Sequence, residues 1–265
     1  MPTLTARGTT ISYEQQGDGP PVILLHGFPL DNRIWQQQLT ALSDRWRVIT
    51  PDLRGFGKSA SLDPFTMESL ADDIHALLTE LNALPCVLGG LSMGGYVALA
   101  YAKRYPADLR GLILIDTRAE ADTAQGKQAR QSMIDLVRKS GSPAVAEQMM
   151  PKMLAPDEAQ RRPQLARDLR TIMEACPPLT IEHALAAMRD RADHTTDLAS
   201  ISVPTLIIVG EQDAITPPPM AQAMNQAIPH STLHLIRGAG HMSPMEQPQQ
   251  VTSALRRFLE QLPNS

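Results

Sequence analysis

Gly90-Leu91-Ser92-Met93-Gly94 follows the apolar run Cys86-Val87-Leu88-Gly89 and precedes a helical run from Tyr96 to Tyr105. A G-x-S-x-G pentapeptide between a strand and a helix can make a serine nucleophilic. The backbone at Ser92 must turn sharply, so the residues two places away must lack side chains, and Gly90 and Gly94 meet that need. The turn lifts the hydroxyl clear of the sheet. It also puts a helix N-terminus beneath it, where free N–H groups favour developing negative charge. Without partners, a bland Gly/Ser-rich loop would explain the pentapeptide as well.

A serine nucleophile needs a base, and the base needs an orienting acid. Thr205–Val209 reads as a strand, and Gly210-Glu211-Gln212-Asp213 sets an acid just beyond it. Leu233–Ile236 is followed by Arg237-Gly238-Ala239-Gly240-His241, an imidazole in a glycine-containing loop. Asp213 also fits a helix-start acid before Pro217, and Asp116, just past Leu112–Ile115, is the competing acid. His241 stands apart from His26, His75, His183, His194, His230 and His234 because its small neighbours let the ring swing towards the serine. An oxyanion also needs donors. Leu24-Leu25-His26-Gly27-Phe28-Pro29 closes a strand, and the backbone N–H groups of Phe28 and Met93 are the expected pair. His26 then braces the loop, and Gly27 allows close backbone approach. Asp52-Leu53-Arg54-Gly55-Phe56-Gly57-Lys58-Ser59 lacks the spacing of a phosphate loop and reads instead as an Asp–Arg brace in a Gly-rich turn. No pattern of metal ligands is present, so neither metal nor other cofactor is expected.

The elements that must hold these residues alternate. Leu4–Arg7 and Thr9–Glu14 form an opening hairpin turned at Gly8; Val22–Leu25, Val48–Thr50, Cys86–Gly89 and Gly111–Ile115 are buried-type strands. Asp31–Ser43 and Thr66–Leu81 are helical, the latter with Leu70, Ile74, Leu77, Leu78 and Leu81 on one face and Thr66 as N-cap. This β-α-β alternation predicts an α/β class with a parallel sheet buried on both faces. From Ala119 to Thr196 no strong strand run occurs, and Pro143, Pro151, Pro156, Pro163 and Pro177–Pro178 punctuate several short helices. That segment reads as a lid (residues 119–196) over a core of residues 1–118 and 197–265, which resumes with Pro217–Ala227, Thr232–Ile236 and Gln247–Leu262.

Hydrophobic residues make up 43% of the 265, enough for a sizeable core, and the net charge of −4 comes without a basic run, so no nucleic-acid partner is expected. No apolar run approaches the ~18 residues of a membrane span, and Met1–Gly19 has no apolar stretch of the secretory type. Cys86 and Cys176 read as free buried thiols. The expectation is a cytoplasmic protein, monomeric or a small homo-oligomer.

In these motifs the chain resembles the α/β-hydrolase superfamily over nearly its whole length. The resemblance rests on His26-Gly27-Phe28-Pro29, Asp52–Ser59, Gly90-Leu91-Ser92-Met93-Gly94-Gly95, Gly210-Glu211-Gln212-Asp213 and Gly240-His241 in order. It implies an eight-stranded, mostly parallel sheet, a helical cap between strands 6 and 7, and Ser92, Asp213 and His241 as the triad. Leu91-Ser92-Met93-Gly94-Gly95 is similar to enol-lactonases of aromatic degradation; His26–Leu30 and Asp116–Thr123 are more similar to small bacterial carboxylesterases. Serine at position 92 argues against the branches that use Asp there. The expected activity is hydrolysis of carboxylic esters of small to medium acyl chain, with lactones as the alternative and peracid formation as a side activity. A ligand-sensing member of the fold is the non-enzyme alternative. Apolar walls are expected from Phe28, Met93, Ile215 and Met242 and from Met149, Met150, Met153 and Met188, although methionines at helical spacing also suit ordinary core. Arg118 suits either a substrate carboxylate or a cap hinge. With a free histidine titrating near pH ~6.5, activity is expected to rise through mildly acidic to neutral pH.

Overall fold

The computed structural model describes residues 1–59 and 63–263. Its eight strands are β1 (Thr3–Ala6), β2 (Thr9–Gln16), β3 (Pro21–Leu25), β4 (Arg47–Pro51), β5 (Cys86–Leu91), β6 (Leu109–Ile115), β7 (Thr205–Gly210) and β8 (Ser231–Ile236). They form one sheet in the order β1-β2-β4-β3-β5-β6-β7-β8. The pairs β1–β2 and β2–β4 are antiparallel, and every pair from β4 to β8 is parallel.

Strand side chains alternate between two cores, as a period of two requires. Ile23, Leu25, Leu88, Leu112, Leu114, Ile207 and Val209 point into one cluster. There they meet Leu70, Ile74 and Leu77 of α2 (Met67–Glu80), Val97 and Tyr101 of α3 (Met93–Arg104), and Ala221 and Met224 of α8 (Pro218–Ala227). Val22, Leu24, Val87, Ile113, Ile115, Leu206 and Ile208 point the other way. They meet Leu39 and Leu42 of α1 (Gln36–Leu42) and Val251, Leu255 and Phe258 of α10 (Pro248–Gln261). Because helices cover both faces, β5 and β7 are buried at every residue, and their sequences show no polar alternation. β8 is the outer strand and is only partly covered.

Local signals fix the helix ends. Thr66 and Ser69 form a reciprocal capping box on α2. Asp31 caps a 3₁₀ turn, Asn32–Trp35, that leads into α1, so the expected helix begins tighter than an α-helix. A short α9 (Ser243–Glu246) precedes α10; the sequence had shown only the second of these helices. The Gly-rich turn after β4 departs from expectation. Arg54 does not brace Asp52 but reaches Asp73 of α2 through two bonds of 2.6 and 2.7 Å. Asp52 instead accepts the N–H groups of Asn32 and Lys58, so this carboxylate ties two loops by backbone.

Between β6 and β7 the chain is helical: α4 (Ala124–Met153), α5 (Glu158–Arg161), α6 (Pro163–Ala175) and α7 (Pro178–Asp190). Pro163 and Pro178 open α6 and α7, where a missing N–H costs nothing. α4 is broken at Gly141, φ 73°, so Pro143 stands in the first turn of its second half, while Pro151 lies in its last turn and ends no helix by itself. Among the described residues no helix is long and apolar enough to cross a membrane.

The two ends of this helical segment are stapled at Asp122. The carboxylate, just ahead of α4, pairs with Arg118, Arg130 and Arg191, the last just beyond α7. The Arg191 side chain is 2% exposed, and its guanidinium lies 4.2 Å from the Tyr96 ring centroid on α3. Burial opposes ionisation of Asp122, but Arg130 and Arg191 outweigh it and hold the carboxyl below its ordinary value. Stability from this pair is therefore present above the unfolded carboxyl value and lost as pH falls through the lower folded one. Asp122→Ala leaves a buried guanidinium without its counter-charge. It is expected to cost about 3–5 kcal/mol and to flatten the acid limb of stability, as read by urea unfolding from pH 3 to 7.

Candidate active site

Ser92 stands where β5 gives way to α3, with φ 52° and ψ −113°. That left-handed backbone is costly for a residue with a side chain and persists only where its surroundings enforce it. The enforcement is close packing. A Cβ on Gly90 would lie 2.1 Å from the Gly94 carbonyl oxygen, and one on Gly94 would lie 2.5 Å from that of Leu25. Thr117, just past β6, donates its hydroxyl to the Ser92 carbonyl at 2.8 Å. The side chain of Ser92 is thereby aimed away from the sheet and is only partly buried.

The loops after β7 and β8 deliver its neighbours. His241 Nε2 lies 2.9 Å from Ser92 Oγ, and His241 Nδ1 lies 2.9 Å from Asp213 Oδ2. An ionised Asp213 accepts only, so Nδ1 carries the proton and Nε2 is left to accept from the serine hydroxyl. Asp213 also accepts from the Ile215 and Thr216 N–H groups and the Thr216 hydroxyl. Burial works to raise its pKa, but His241 and these bonds prevail and bring it down to about 2. For His241, burial works against the charged form, yet Asp213 outweighs it, and the ring titrates above ordinary histidine. Asp116, the competing acid, is fully buried at φ 45° beside this group. Its oxygens accept from the Gly210 N–H and from the N–H and hydroxyl of Ser243. Burial, and then the charge of Asp213, push its pKa well above the usual carboxylate range.

The loop after β3 forms the opposite wall. His26 is fully buried; its Nδ1 meets the Gly27 carbonyl at 2.8 Å and its Nε2 accepts the Leu53 N–H at 3.0 Å. It holds the loop and is not among the partners of Ser92. Gly27 packs against the serine: a Cβ there would lie 3.2 Å from Ser92 Cβ. Phe28 follows directly. Met93 is the first residue of α3, so its N–H has no partner within the helix.

The residues expected as walls divide between the two cores. Phe28, Met93 and Met188 belong to the α2–α3 side, and Met153 and Met242 to the α1–α10 side. Met150 and Ile215 pack against the second cluster, and Met149 touches both. Met93, Met153 and Met242 are completely buried. A cavity of about 210 Å³, lined by Leu99, Lys103, Leu109 and Ile201 among others, lies at the amino end of β6, away from Ser92. Arg118 is engaged with Asp122.

Sequence reasoning did not find Thr216, Thr117 or Glu246. Thr216 sits three residues after Asp213, ahead of Pro217, a spacing that could have signalled a side-chain cap. Thr117 and Glu246 carry no comparable local signal.

A sequence profile of the α/β hydrolase fold matches residues 20–248. The chain is 32% identical to the AB hydrolase superfamily protein YisY of Bacillus subtilis, covering 96% of this chain and 97% of that protein. It is 30% identical to 3-oxoadipate enol-lactonase 2 of Acinetobacter baylyi, covering 97% and 96%. The structure of a thermophilic esterase from Thermogutta terrifontis, solved with malate bound, superposes with a TM-score of 0.93 at 43% identity, covering 97% and 96%. With the strand order, the turn at Ser92 and these likenesses in agreement, the chain belongs to the α/β-hydrolase fold family.

Proposed function

We propose that this chain hydrolyses carboxylic esters of small to medium acyl chain through an acyl-enzyme on Ser92. A core of residues 1–118 and 197–265 carries the chemistry, under a cap of residues 119–196. The observation that carries this reading is the unbroken hydrogen-bond path from Ser92 Oγ through His241 to Asp213. His241 Nε2 takes the hydroxyl proton as Ser92 attacks the ester carbonyl, and the Phe28 and Met93 N–H groups hold the oxyanion. The imidazolium then gives its proton to the leaving alcohol, and water repeats the sequence on the acyl group. Asp213 fixes the tautomer of His241 and offsets its transient charge. The substrate walls are the apolar set of Phe28, Met93, Ile215 and Met242 with Met149, Met150, Met153 and Met188 from the cap. The resemblance to an esterase and an enol-lactonase supports a small-molecule ester or lactone as substrate. A lactone, being an internal ester, follows the same steps, and this is the second reading. Arg118 is committed to Asp122, which weighs against a free cation there for an acidic lactone.

Multiple-turnover hydrolysis of p-nitrophenyl acetate, butyrate and octanoate tests the reading, and the chain-length trend sizes the acyl pocket. Ser92→Ala is expected to lower kcat by roughly 10⁴–10⁶; near-normal turnover would refute the nucleophile. A single stoichiometric burst from the wild type would point to a sensor with stalled deacylation.

The two acids separate by substitution. Asp213→Asn is expected to cost about 10⁴ in kcat, because the His241 tautomer is no longer enforced. Asp116→Asn keeps an acceptor for the Gly210 N–H and a donor for the Ser243 hydroxyl. It leaves the buried Ser243 N–H facing the new amide, at a cost of about 1–3 kcal/mol in stability, but the His241 tautomer stays enforced by Asp213, so kcat is expected to fall by less than about tenfold. The reverse ranking would make Asp116 the orienting acid.

Because His241 is held above the ordinary histidine value, the neutral ring needed as base accumulates only at higher pH. The acid limb of kcat/KM is therefore expected above pH ~6.5, rising through neutral into alkaline solution instead of levelling below neutral. A flat profile from pH 5 to 9, with chemistry rate-limiting, would sink His241 as the base.

A further inference from the structure

Glu246 has no part in the steps above, yet it is 1% exposed and closes α9 immediately beside His241. One carboxylate oxygen, Oε1, accepts the N–H groups of Gly240 at 2.9 Å and Met242 at 3.1 Å, the two neighbours of His241. The other, Oε2, accepts the N–H of Ala155 at 2.7 Å. Ala155 lies in the helical segment between β6 and β7, just past α4. The two backbones are in direct contact, since a Cβ on Gly240 would lie 2.4 Å from Ala155 N and 2.6 Å from Leu154 C. Arg162 adds a strut from the same segment. It donates to the Glu246 carbonyl oxygen at 2.6 Å and is itself held by Glu158.

We propose that Glu246 is a positioning residue that joins the cap to the catalytic histidine, so that the seating of residues 154–162 sets the place of His241. The proposal rests on the ester-hydrolase reading for its catalytic consequence, but not for the joint itself. The chemistry of the side chain supports it. Three N–H donors converge from two separate segments, and only a carboxylate offers acceptors on both of its ends. A glutamine can face Gly240 and Met242 with its oxygen, but its amide then points at the Ala155 N–H. Burial raises the Glu246 pKa and the three N–H bonds oppose it, while nearby Glu158 raises it further. His241 on one side and the Arg162 guanidinium on the other complete the charged surroundings. The coupling runs in both directions: a seated cap holds the base, and a well-placed base loop favours the seated cap.

The test compares wild type, Glu246→Gln, Arg162→Ala and the double variant on p-nitrophenyl acetate. Glu246→Gln is expected to lower kcat by about 10–100-fold with little change in KM, the size of effect a misplaced catalytic group produces. It should also move the acid limb of kcat/KM to lower pH, because a negative charge beside His241 is removed. The limb shift reads the charge beside His241, and the loss in kcat, absent further loss in the double variant, reads the joint. Arg162→Ala should lower kcat in the same direction by a smaller factor and add nothing in the Glu246→Gln background. Wild-type kcat and limb in Glu246→Gln, or additive losses in the double variant, would overturn the joint. Should Glu246→Gln fail to fold, or the wild type prove inactive on esters, amide hydrogen exchange decides independently of turnover. Faster exchange at Gly240 and Met242 in Arg162→Ala supports the joint, and unchanged protection overturns it. Wild-type inactivity with that faster exchange would locate the failure in the ester reading alone.

Discussion

The buried bond between His241 Nδ1 and Asp213 is the contact on which the rest of the site depends. An imidazole free to rotate offers either nitrogen to a serine, and offers neither for long. Tied at Nδ1 to an acceptor inside the protein, the ring has one tautomer and one orientation. The bond can exist only because β7 and β8 are neighbours in the sheet and their following loops nearly touch. A Cβ on Gly210 would lie 2.0 Å from the Gly240 carbonyl. Gly210, which ends β7, and Gly240, in the loop after β8, thus allow the approach that the His241–Asp213 bond requires. The same logic governs β5, where Gly90 and Gly94 permit the backbone at Ser92 to turn. Close approach of backbone, rather than any property of the acidic or basic side chains, brings the three groups together.

That arrangement gathers carboxyl groups at the carboxyl edge of the sheet. Asp116, Asp213 and Glu246 are all nearly inaccessible to solvent and lie around one histidine. A buried carboxylate is expensive unless its lone pairs are filled. Backbone N–H groups largely meet the requirement: Gly210 and Ser243 for Asp116, Ile215 and Thr216 for Asp213, and Gly240, Met242 and Ala155 for Glu246. Each such bond costs a loop its freedom, so the carboxylates double as fasteners for the loops that carry the chemistry. The three environments still differ in effect. Burial works to raise both, but His241 and its hydrogen bonds bring Asp213 down to about 2, whereas burial, and then the charge of Asp213, leave Asp116 well above the usual carboxylate range. Of these two acids, which look alike in the sequence, only Asp213 is hydrogen-bonded to the imidazole.

The parts legible in the sequence are those that a local rule determines. Strands buried on both faces read as apolar runs, and the residues at their ends, Ser92, Asp213 and His241, could be named because α/β sheets place ligand-facing residues there. Thr66 was legible as a cap because capping is settled within four residues. What escaped notice is settled between distant segments. Arg54 belongs to Asp73, 19 positions away; Glu246 reaches Ala155, 91 positions away; Asp122 closes on Arg191 across the whole helical insertion. No periodicity or spacing encodes such a partnership. Prolines were a weaker guide for a related reason: the kink in α4 falls at Gly141, Pro143 stands in the first turn after it, where a proline breaks nothing, and Pro151 lies in the last turn.

The same distinction separates reaction from selectivity. Strand order and glycine contacts fix where Ser92, His241 and Asp213 stand, and each of these is a property of the sheet and the loops that leave it. The methionines expected as walls are spread over two packing clusters, with Met149 alone in contact with both. Unbranched thioether side chains adjust their rotamers at little cost, so a wall built from them follows the shape of its contents. The buried contacts at Asp122 fasten the two ends of the helical segment between β6 and β7, and those at Glu246 fasten the same segment beside His241. Glu246 therefore connects a segment packed through adaptable methionines to the loop whose position decides the distance from His241 to Ser92.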